Sequence, residues 1–372
     1  MGTRHPGPPS RCSFGGVDHE LDLAADGATL TAALTDIASV SGAEKPLADA
    51  IERALLACPH LTVDRVGDTV LARTRLGREE RVVLAGHIDT VPHAGNFPSS
   101  FDSERTRLTG CGTTDMKSGV AVQLRLAASL PVPSRDVTYV FYECEEVDVE
   151  RNGLFLLARS APEWLAGDFA VLLEPSGGAV EGGCQGTMRA SITATGARAH
   201  TARSWMGRNA IHEAGAILDV LRTWEPRLPV VDGLQYHEGL NAVAITGGVA
   251  GNVVPDSCVV TVNYRFAPDR SADEAAEYLR SLFSGWEVSV LDVAAGARPG
   301  LQAPAAAAFV AAVGGTPRAK LGWTDVARFA ELGIPAVNYG PGIPEIAHTA
   351  GEYVEVAAIA DCEARLRGWL SA

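Results

Sequence analysis

Long apolar runs are missing from this 372-residue chain, and nothing approaches the roughly 20 consecutive apolar residues that a membrane-spanning helix needs. The first 20 residues, MGTRHPGPPSRCSFGGVDHE, are rich in Pro and Gly and lack the apolar segment of a secretory signal. They read as a flexible tail. The chain starts Met-Gly, but Pro6 stands where a myristoylation signal carries Ser or Thr. Basic residues are outnumbered, 31 Lys and Arg against 45 Asp and Glu, and the net charge of −14 opposes a polyphosphate partner or a basic membrane anchor. Neither nucleic acid nor membrane is an expected partner. The seven cysteines are scattered, odd in number and never in a C-x-x-C arrangement, which predicts buried, reduced thiols in a cytoplasmic protein. Glycine fingerprints of the G-x-G-x-x-G or G-x-x-x-x-G-K-[ST] type are absent too, so a nucleotide-binding oxidoreductase is disfavoured.

What is there suits a globular protein: 47% hydrophobic and 20% charged residues, over a length that predicts two domains. From Leu30 to Cys58 apolar residues fall at helical spacing, interrupted at Ser41-Gly42. LTVDRVG, TVLART, VVLAGHIDTVP, VTYVFYECEE and FAVLLEP are strand-like, with helical GVAVQLRLAASL and GLFLLARSAPEWLA between them. That alternation predicts an α/β architecture. Near Gly177 the texture changes to strand-helix-strand-strand-helix-strand, the split βαβ pattern of a ferredoxin-like α+β domain, which reads as an insertion. After about Gly296 short helices and strands resume, closing with a helix over Val354 to Leu370. The expected division is a tail over residues 1–20, one domain over 21–179 and 295–372, and an inserted domain over 180–294.

The chemistry-bearing residues sit at strand ends. VVLAG leads into His87 and Asp89, VTYVFYEC into Glu145 and Glu146, FAVLL into Glu174, and IPAVNYGPG towards His348. Asp115 lies in GCGTTDMKSG, just ahead of a predicted helix. In open α/β sheets ligands bind beyond the carboxyl ends of the strands, so these groups are candidates for one site. Acids and imidazoles gathered there without matching Lys or Arg would repel unless a cation neutralised them. Taken singly, each has a plainer explanation. A lone His is more often a hydrogen-bonded residue than a ligand, Glu145-Glu146 could be a solvated pair, and Glu174-Pro175 could be a turn entry. Recurrence at every strand end weakens those explanations.

His87-Ile88-Asp89-Thr90-Val91-Pro92, Gly110 to Lys117, Glu145-Glu146, Glu174-Pro175 and Ala347-His348-Thr349 resemble the ordered motif set of the M20 family of dinuclear zinc hydrolases. The resemblance implies a mixed-sheet zinc-exopeptidase catalytic domain with an inserted ferredoxin-like lid and dimerisation domain. It implies two Zn2+ per chain, replaceable by Co2+: His87 and Glu174 on one, Glu146 and His348 on the other, Asp115 bridging, and a cis peptide after Asp115. Glu145 would be the general base and Asp89 the carboxylate that orients His87. In GARAHTARSWMGRNAI, His200 resembles the family's lid histidine, reaching the partner chain of a homodimer, and Asn252 and Arg265 resemble substrate contacts. Arg265 is equally consistent with a structural ion pair.

Within M20, CEEVDVERNG, PEWLAGDFAVLLEPS, GARAHTARSWMGRNAI and GWTDVARFAELGIPAVNYGPG look most like actinobacterial succinyl-diaminopimelate desuccinylases. Thr324 and Arg328 would then contact substrate, although Arg328 stands one residue further from Asp325 than in the T-S-D-G-R-F form. The expected substrate is a small N-acyl amino acid, N-succinyl-LL-2,6-diaminopimelate. Alternatives are another M20 deacylase, such as N-acetylornithine deacetylase or an aminoacylase, and a non-catalytic amino-acid-binding protein on the same fold.

Overall fold

The computed structural model describes residues 19–372, so the expected tail lies outside the described residues except for its last two positions. Along the chain come α1 (Gly27–Thr35), α2 (Lys45–Leu56), β1 (Thr62–Val66), β2 (Thr69–Arg73) and β3 (Arg81–His87). They are followed by α3 (Ser118–Ser129), β4 (Asp136–Tyr142), α4 (Gly153–Ser160), β5 (Phe169–Leu172) and β6 (Glu181–Gly182). The principal elements of the middle stretch are β7 (Gly186–Thr195), α5 (Ala210–Thr223), β8 (Gly239–Gly247), β9 (Ser257–Phe266), α6 (Ala272–Leu282) and β10 (Glu287–Ala294). The chain ends with α7 (Pro304–Val313), β11 (Arg318–Ala319), α8 (Val326–Glu331), β12 (Ala336–Asn338) and α9 (Val356–Ser371).

An eight-stranded mixed sheet has the order β1-β2-β4-β3-β5-β12-β6-β11. Its centre, β4-β3-β5-β12, is parallel. Strand periodicity of two sends Val82 and Leu84 to one face and Val83 and Ala85 to the other. The first face packs on Leu34, Ile51, Leu124, Phe309 and Leu366 from α1, α2, α3, α7 and α9, and the second on Leu157 of α4 and Phe329 of α8. Burial on both faces explains why these strands read as continuous apolar runs.

The middle of the chain forms a separate four-stranded antiparallel sheet in the order β8-β9-β7-β10. This is the strand order of a ferredoxin-like unit, as the split βαβ pattern predicted. Met188, Ala190, Ile192 and Ala194 of β7 face α5 and α6, while Arg189 points away from that core. Local signals close its helices: Ser271 and Glu274 form a capping box at α6.

Differences from the sequence reading lie at ends, in short pairings and at the domain boundary, where Glu181–Gly182, expected in the insertion, pairs instead with β11 and β12 of the eight-stranded sheet. α9 starts at Val356, because Tyr353–Glu355 is drawn into a three-stranded sheet with Ser100–Phe101 and Arg107–Thr109. The predicted helix after Gly153 stops at Ser160, ahead of Pro162, which opens a separate 3-10 turn. No helix among the described residues is long and apolar enough to cross a membrane.

Candidate metal centre and active-site cleft

Parallel register brings the strand ends to one edge. His87, the last residue of β3, stands opposite Tyr142, the last of β4, and Ala85 stands opposite Leu172 of β5. The pairing continues one residue further, with Ile88 N–H donating to Tyr142 O at 2.9 Å and Leu173 N–H to Ala85 O at 2.9 Å. Asp89, Glu145, Glu146 and Glu174 therefore emerge together. Asp115 reaches the same edge from a turn ahead of α3. Gly112 enters that turn at φ 85°, and a side chain at Gly119 would overlap the Leu173 carbonyl, so glycine permits both the bend and the close approach of α3. Buried Lys117 ties the turn to the end of α1 by donating to the Leu34 and Ile37 carbonyls at 3.1 and 3.0 Å. The Asp115–Met116 peptide is cis, as the motif resemblance implied.

The two oxygens of Asp115 face different imidazoles. Oδ1 lies 3.1 Å from His87 Nε2, and Oδ2 lies 3.4 Å from His348 Nε2. Glu174 Oε1 is 4.0 Å from His87 Nε2, whereas Glu146 Oε1 is 2.6 Å from His348 Nε2. The arrangement is thus a pair of His-carboxylate sets with Asp115 between them. Potential donor atoms of His87, Asp115 and Glu146 all lie within 4.8 Å of one another.

Behind this cluster the turn after β4 is pinned by two buried carboxylates. Asp89 accepts the N–H of Glu145 at 3.0 Å, the N–H of Glu146 at 3.1 Å and the Ser41 hydroxyl at 2.7 Å. Glu44 accepts the N–H of Gly42 at 2.9 Å and of Cys144 at 3.1 Å, holding Cys144 at a left-handed φ of 58°. Glu44, Glu143 and Cys144 also come close enough to count as a cation-binding group, but these hydrogen bonds already give Glu44 a structural task. His87 Nδ1 has only acceptors near it, the Asp89 carbonyl at 3.1 Å and Asp89 Oδ1 at 3.4 Å. Its proton therefore belongs on Nδ1, which leaves the Nε2 lone pair towards Asp115.

Electrostatics match that layout. Burial and the charge of Asp115 push Glu174 up to about 7. Glu145 is also raised well above the carboxylate range by burial and, among its neighbours, by Glu174 and Glu146. Hydrogen bonds to Asp115 and Glu146 lift His348 to about 10. Oε1 of Glu174 is buried and has no hydrogen-bond donor. An acid-rich cluster with an unsatisfied inward oxygen, two imidazoles and no Cys fits a borderline divalent cation such as zinc.

Residues 83–372 match peptidase family M20/M25/M40. The chain belongs to the M20 family. A Mycobacterium tuberculosis protein provisionally named succinyl-diaminopimelate desuccinylase is 54% identical over 353 residues, covering 94% of this chain and 99% of that one. The succinyl-diaminopimelate desuccinylase of Corynebacterium glutamicum is 47% identical over 362 residues, covering 94% and 98%. Among solved structures, an M20 metallo-carboxypeptidase from Sulfolobus solfataricus aligns with TM-score 0.74 at 14% identity, covering 93% of this chain and 99% of the other. M20 enzymes are metal-dependent hydrolases, and this chain has their fold.

In this M20 chain the cluster opens into a cleft of about 990 Å³, whose lining includes Glu145, Glu174, His348 and, from the inserted sheet, Thr187, Arg189 and Arg265. Arg265 is half-buried, donates to Asn263 Oδ1 at 3.1 Å and has no carboxylate partner among the described residues. Thr324 donates to Asn338 Oδ1 at 3.0 Å at the cleft wall. The guanidinium of Arg328 lies 5.2 Å from the ring centres of both Phe155 and Trp323 and within 3.6 Å of Asp325 and 3.3 Å of Glu331. Asp325-to-Arg328 spacing thus makes an intrahelical pair, which commits that side chain to the cleft wall. His200 and Asn252 are exposed and stand outside the cleft of their own chain. His200 Nδ1 accepts from Ala202 N–H at 3.0 Å, and Asn252 O accepts from Thr201 N–H at 3.1 Å.

Sequence reasoning missed Arg318 and Lys320, which also line the cleft. Lys320 donates to the Pro175 carbonyl at 3.0 Å and lies 3.1 Å from Glu181, while Arg318 donates to Ser176 O at 2.7 Å and to Glu181 at 2.9 Å. Together they clamp the turn that follows Glu174. Arg318 opens β11, which is two residues long with Lys320 just past its end, and so short a strand carries no periodicity to detect.

Proposed function

We propose that this chain is a two-zinc amide hydrolase that cleaves N-succinyl-LL-2,6-diaminopimelate to succinate and LL-2,6-diaminopimelate, a step towards lysine and cell-wall precursors. The observation that carries the chemistry is the placement of Asp115 between two His-carboxylate pairs at the edge of the parallel strands. His87 and Glu174 would hold one ion, Glu146 and His348 the other, and Asp115 both, with Co2+ an acceptable substitute. Bound there, the ions supply Lewis acidity at the scissile carbonyl and make water acidic near neutral pH.

The chain's own residues do the rest. Glu145 lines the cleft, half-buried, and as general base would take a proton from the attacking water and return it to the leaving amine. Asp89 aims His87 and, through the N–H groups of Glu145 and Glu146, fixes where both carboxylates point. Arg265, which has no carboxylate partner among the described residues, would offer its guanidinium to a substrate carboxylate, with Thr324 also lining the cleft.

The substrate assignment draws on the near full-length similarity to the desuccinylases. In this reading residues 21–182 and 295–372 form the catalytic domain, since β6 joins the eight-stranded sheet, and 186–294 a lid that pairs two chains. Two features support pairing: edge strand β8 has one neighbour among the described residues, and its Val243 and Ile245, with Val249 just beyond it, are exposed. His200 would then complete the partner's site as a donor to the developing oxyanion. Six free cysteines and no disulfide among the described residues suit action in the cytoplasm.

Turnover of zinc-loaded protein on N-succinyl-LL-2,6-diaminopimelate and on N-acetylornithine tests this reading. The succinyl compound should be cleaved far faster. Equal or reversed rates would retain the hydrolytic chemistry and overturn the substrate.

A further inference from the structure

Four residues beyond His348 the chain places Glu352, a carboxylate with no part in the proton transfers above. It is 1% exposed and forms no ion pair among the described residues. Its Oε1 accepts two successive backbone N–H groups, Thr114 at 2.9 Å and Asp115 at 3.1 Å. The contact is reinforced on both sides. Gly110 N–H donates to the Glu352 carbonyl at 3.0 Å, the Thr114 hydroxyl donates to Tyr353 O at 2.6 Å, and Ile343 N–H donates to that hydroxyl at 3.3 Å.

A carboxylate removed from water is costly unless its oxygens are satisfied, and here the satisfaction comes from the backbone of Asp115 itself. Charge-assisted bonds to consecutive N–H groups hold a turn more firmly than neutral ones. Asp115 must be held firmly, since its two oxygens address His87 and His348 separately. The tether also starts from the segment that bears His348, so one side chain links two ligand-bearing stretches that lie far apart in sequence.

We propose that Glu352 is a positioning residue for the metal centre: it sets the backbone of Asp115, and through it the separation of the two ion-binding positions, relative to His348. The proposal rests on the assignment of Asp115 and His348 as ligands. A role in fold stability alone would lower the melting temperature without altering the metal affinity of folded protein.

Stepwise Zn2+ and Co2+ affinities, measured by competition with a chromophoric chelator, and the visible spectrum of the Co2+ form decide between these roles. The proteins compared are wild type, Glu352→Ala, Glu352→Gln and Asp115→Asn, each checked for fold by circular dichroism and melting. Glu352→Ala should weaken at least one ion by about 10–100-fold and alter the Co2+ spectrum. Glu352→Gln, which keeps an acceptor oxygen but not the charge, should recover part of the loss. Folded Glu352→Ala with wild-type affinities and spectrum overturns the proposal. Should Glu352→Ala fail to fold, Glu352→Gln decides: weakened affinity supports the proposal, and wild-type affinity with a wild-type spectrum overturns it. If Asp115→Asn also leaves both affinities unchanged, the ligand assignment itself falls and takes the proposal with it. If Asp115→Asn weakens binding and the Glu352 variants do not, the positioning role alone is lost.

Discussion

Val83 and Leu84 in the eight-stranded sheet point to opposite faces and are both fully buried, whereas along β8 of the inserted sheet every residue from Asn241 to Gly247 is exposed. The same contrast holds for the functional candidates. His87, Asp89 and Glu174 are buried and have their positions set by contacts within the chain. His200 and Asn252 are exposed and touch no cluster residue. Groups anchored at buried strand ends have their positions fixed as soon as the core packs. His200, on a two-residue strand beside the four-stranded sheet, and Asn252, in the adjacent turn, reach no part of the cleft, whereas Thr187, Arg189 and Arg265 of the sheet itself line it.

The strongest way to sharpen that contrast is to remove Glu145, half-buried at the cleft, whose proposed task is proton transfer rather than ion binding. Glu145→Gln should lower kcat by roughly 10²–10⁴-fold with metal content near wild type, as measured by turnover alongside elemental analysis. Loss of metal with an unchanged rate per bound ion would instead exchange the assignments of Glu145 and Glu146.

His200→Ala attacks the exposed side of the comparison. A lost oxyanion donor should cost about 10²–10³-fold in kcat, with metal content and melting temperature unchanged. If the proposed dimer forms, mixing this variant with Glu145→Ala should restore part of the activity, because a mixed dimer would hold one intact composite site. Confirmed subunit exchange with no activity regained would show that His200 does not act across the interface.

Arg265 stands where the two regions face each other. Arg265→Ala should raise KM by roughly tenfold and leave kcat close to wild type, the signature of lost uniform binding to a substrate carboxylate. An unchanged KM would return Arg265 to a structural role on its strand.

The smallest effect concerns the far end of the buried sheet. Burial there works against ionisation of Asp136, but donation from Leu76 N–H, the Thr74 hydroxyl and Arg78 N–H outweighs it and depresses the pKa. The stabilisation is therefore present above the unfolded pKa of about 3.9 and lost as pH falls through the lower folded value. Asp136→Asn should destabilise by about 1–3 kcal/mol at neutral pH, with little effect on kcat, and the gap to wild type should close in acid. Urea unfolding across pH 3 to 7 would measure it.

How much was legible in advance follows the same division. The strands ending at His87 and at Leu172 showed as apolar runs because both their faces are buried, and five of the six cluster residues stood at or just beyond strand ends or in the glycine-bent turn, while His348 lay ten residues past β12. The lid pattern was legible because β7 and β9 alternate cleanly and α6 carries its own capping box. Arg318 and Lys320 were not legible, since a two-residue strand has no period. The pairing of Arg328 with Asp325 could have been suspected from their i, i+3 spacing, but its placement between Phe155 and Trp323 could not.

By itself the sequence determined the alternation of helices and strands, the interruption by a split βαβ unit, and the residue types offered at each strand end. These are encoded in patterns a few residues long, where burial periodicity and turn chemistry act. Tertiary structure decided which oxygen of Asp115 faces which imidazole, that Glu146 meets His348 across 202 residues, and that Glu352 reaches the Asp115 backbone across 237. Such contacts depend on how distant segments pack against a common core, and no local pattern records the ångström-scale distances that result.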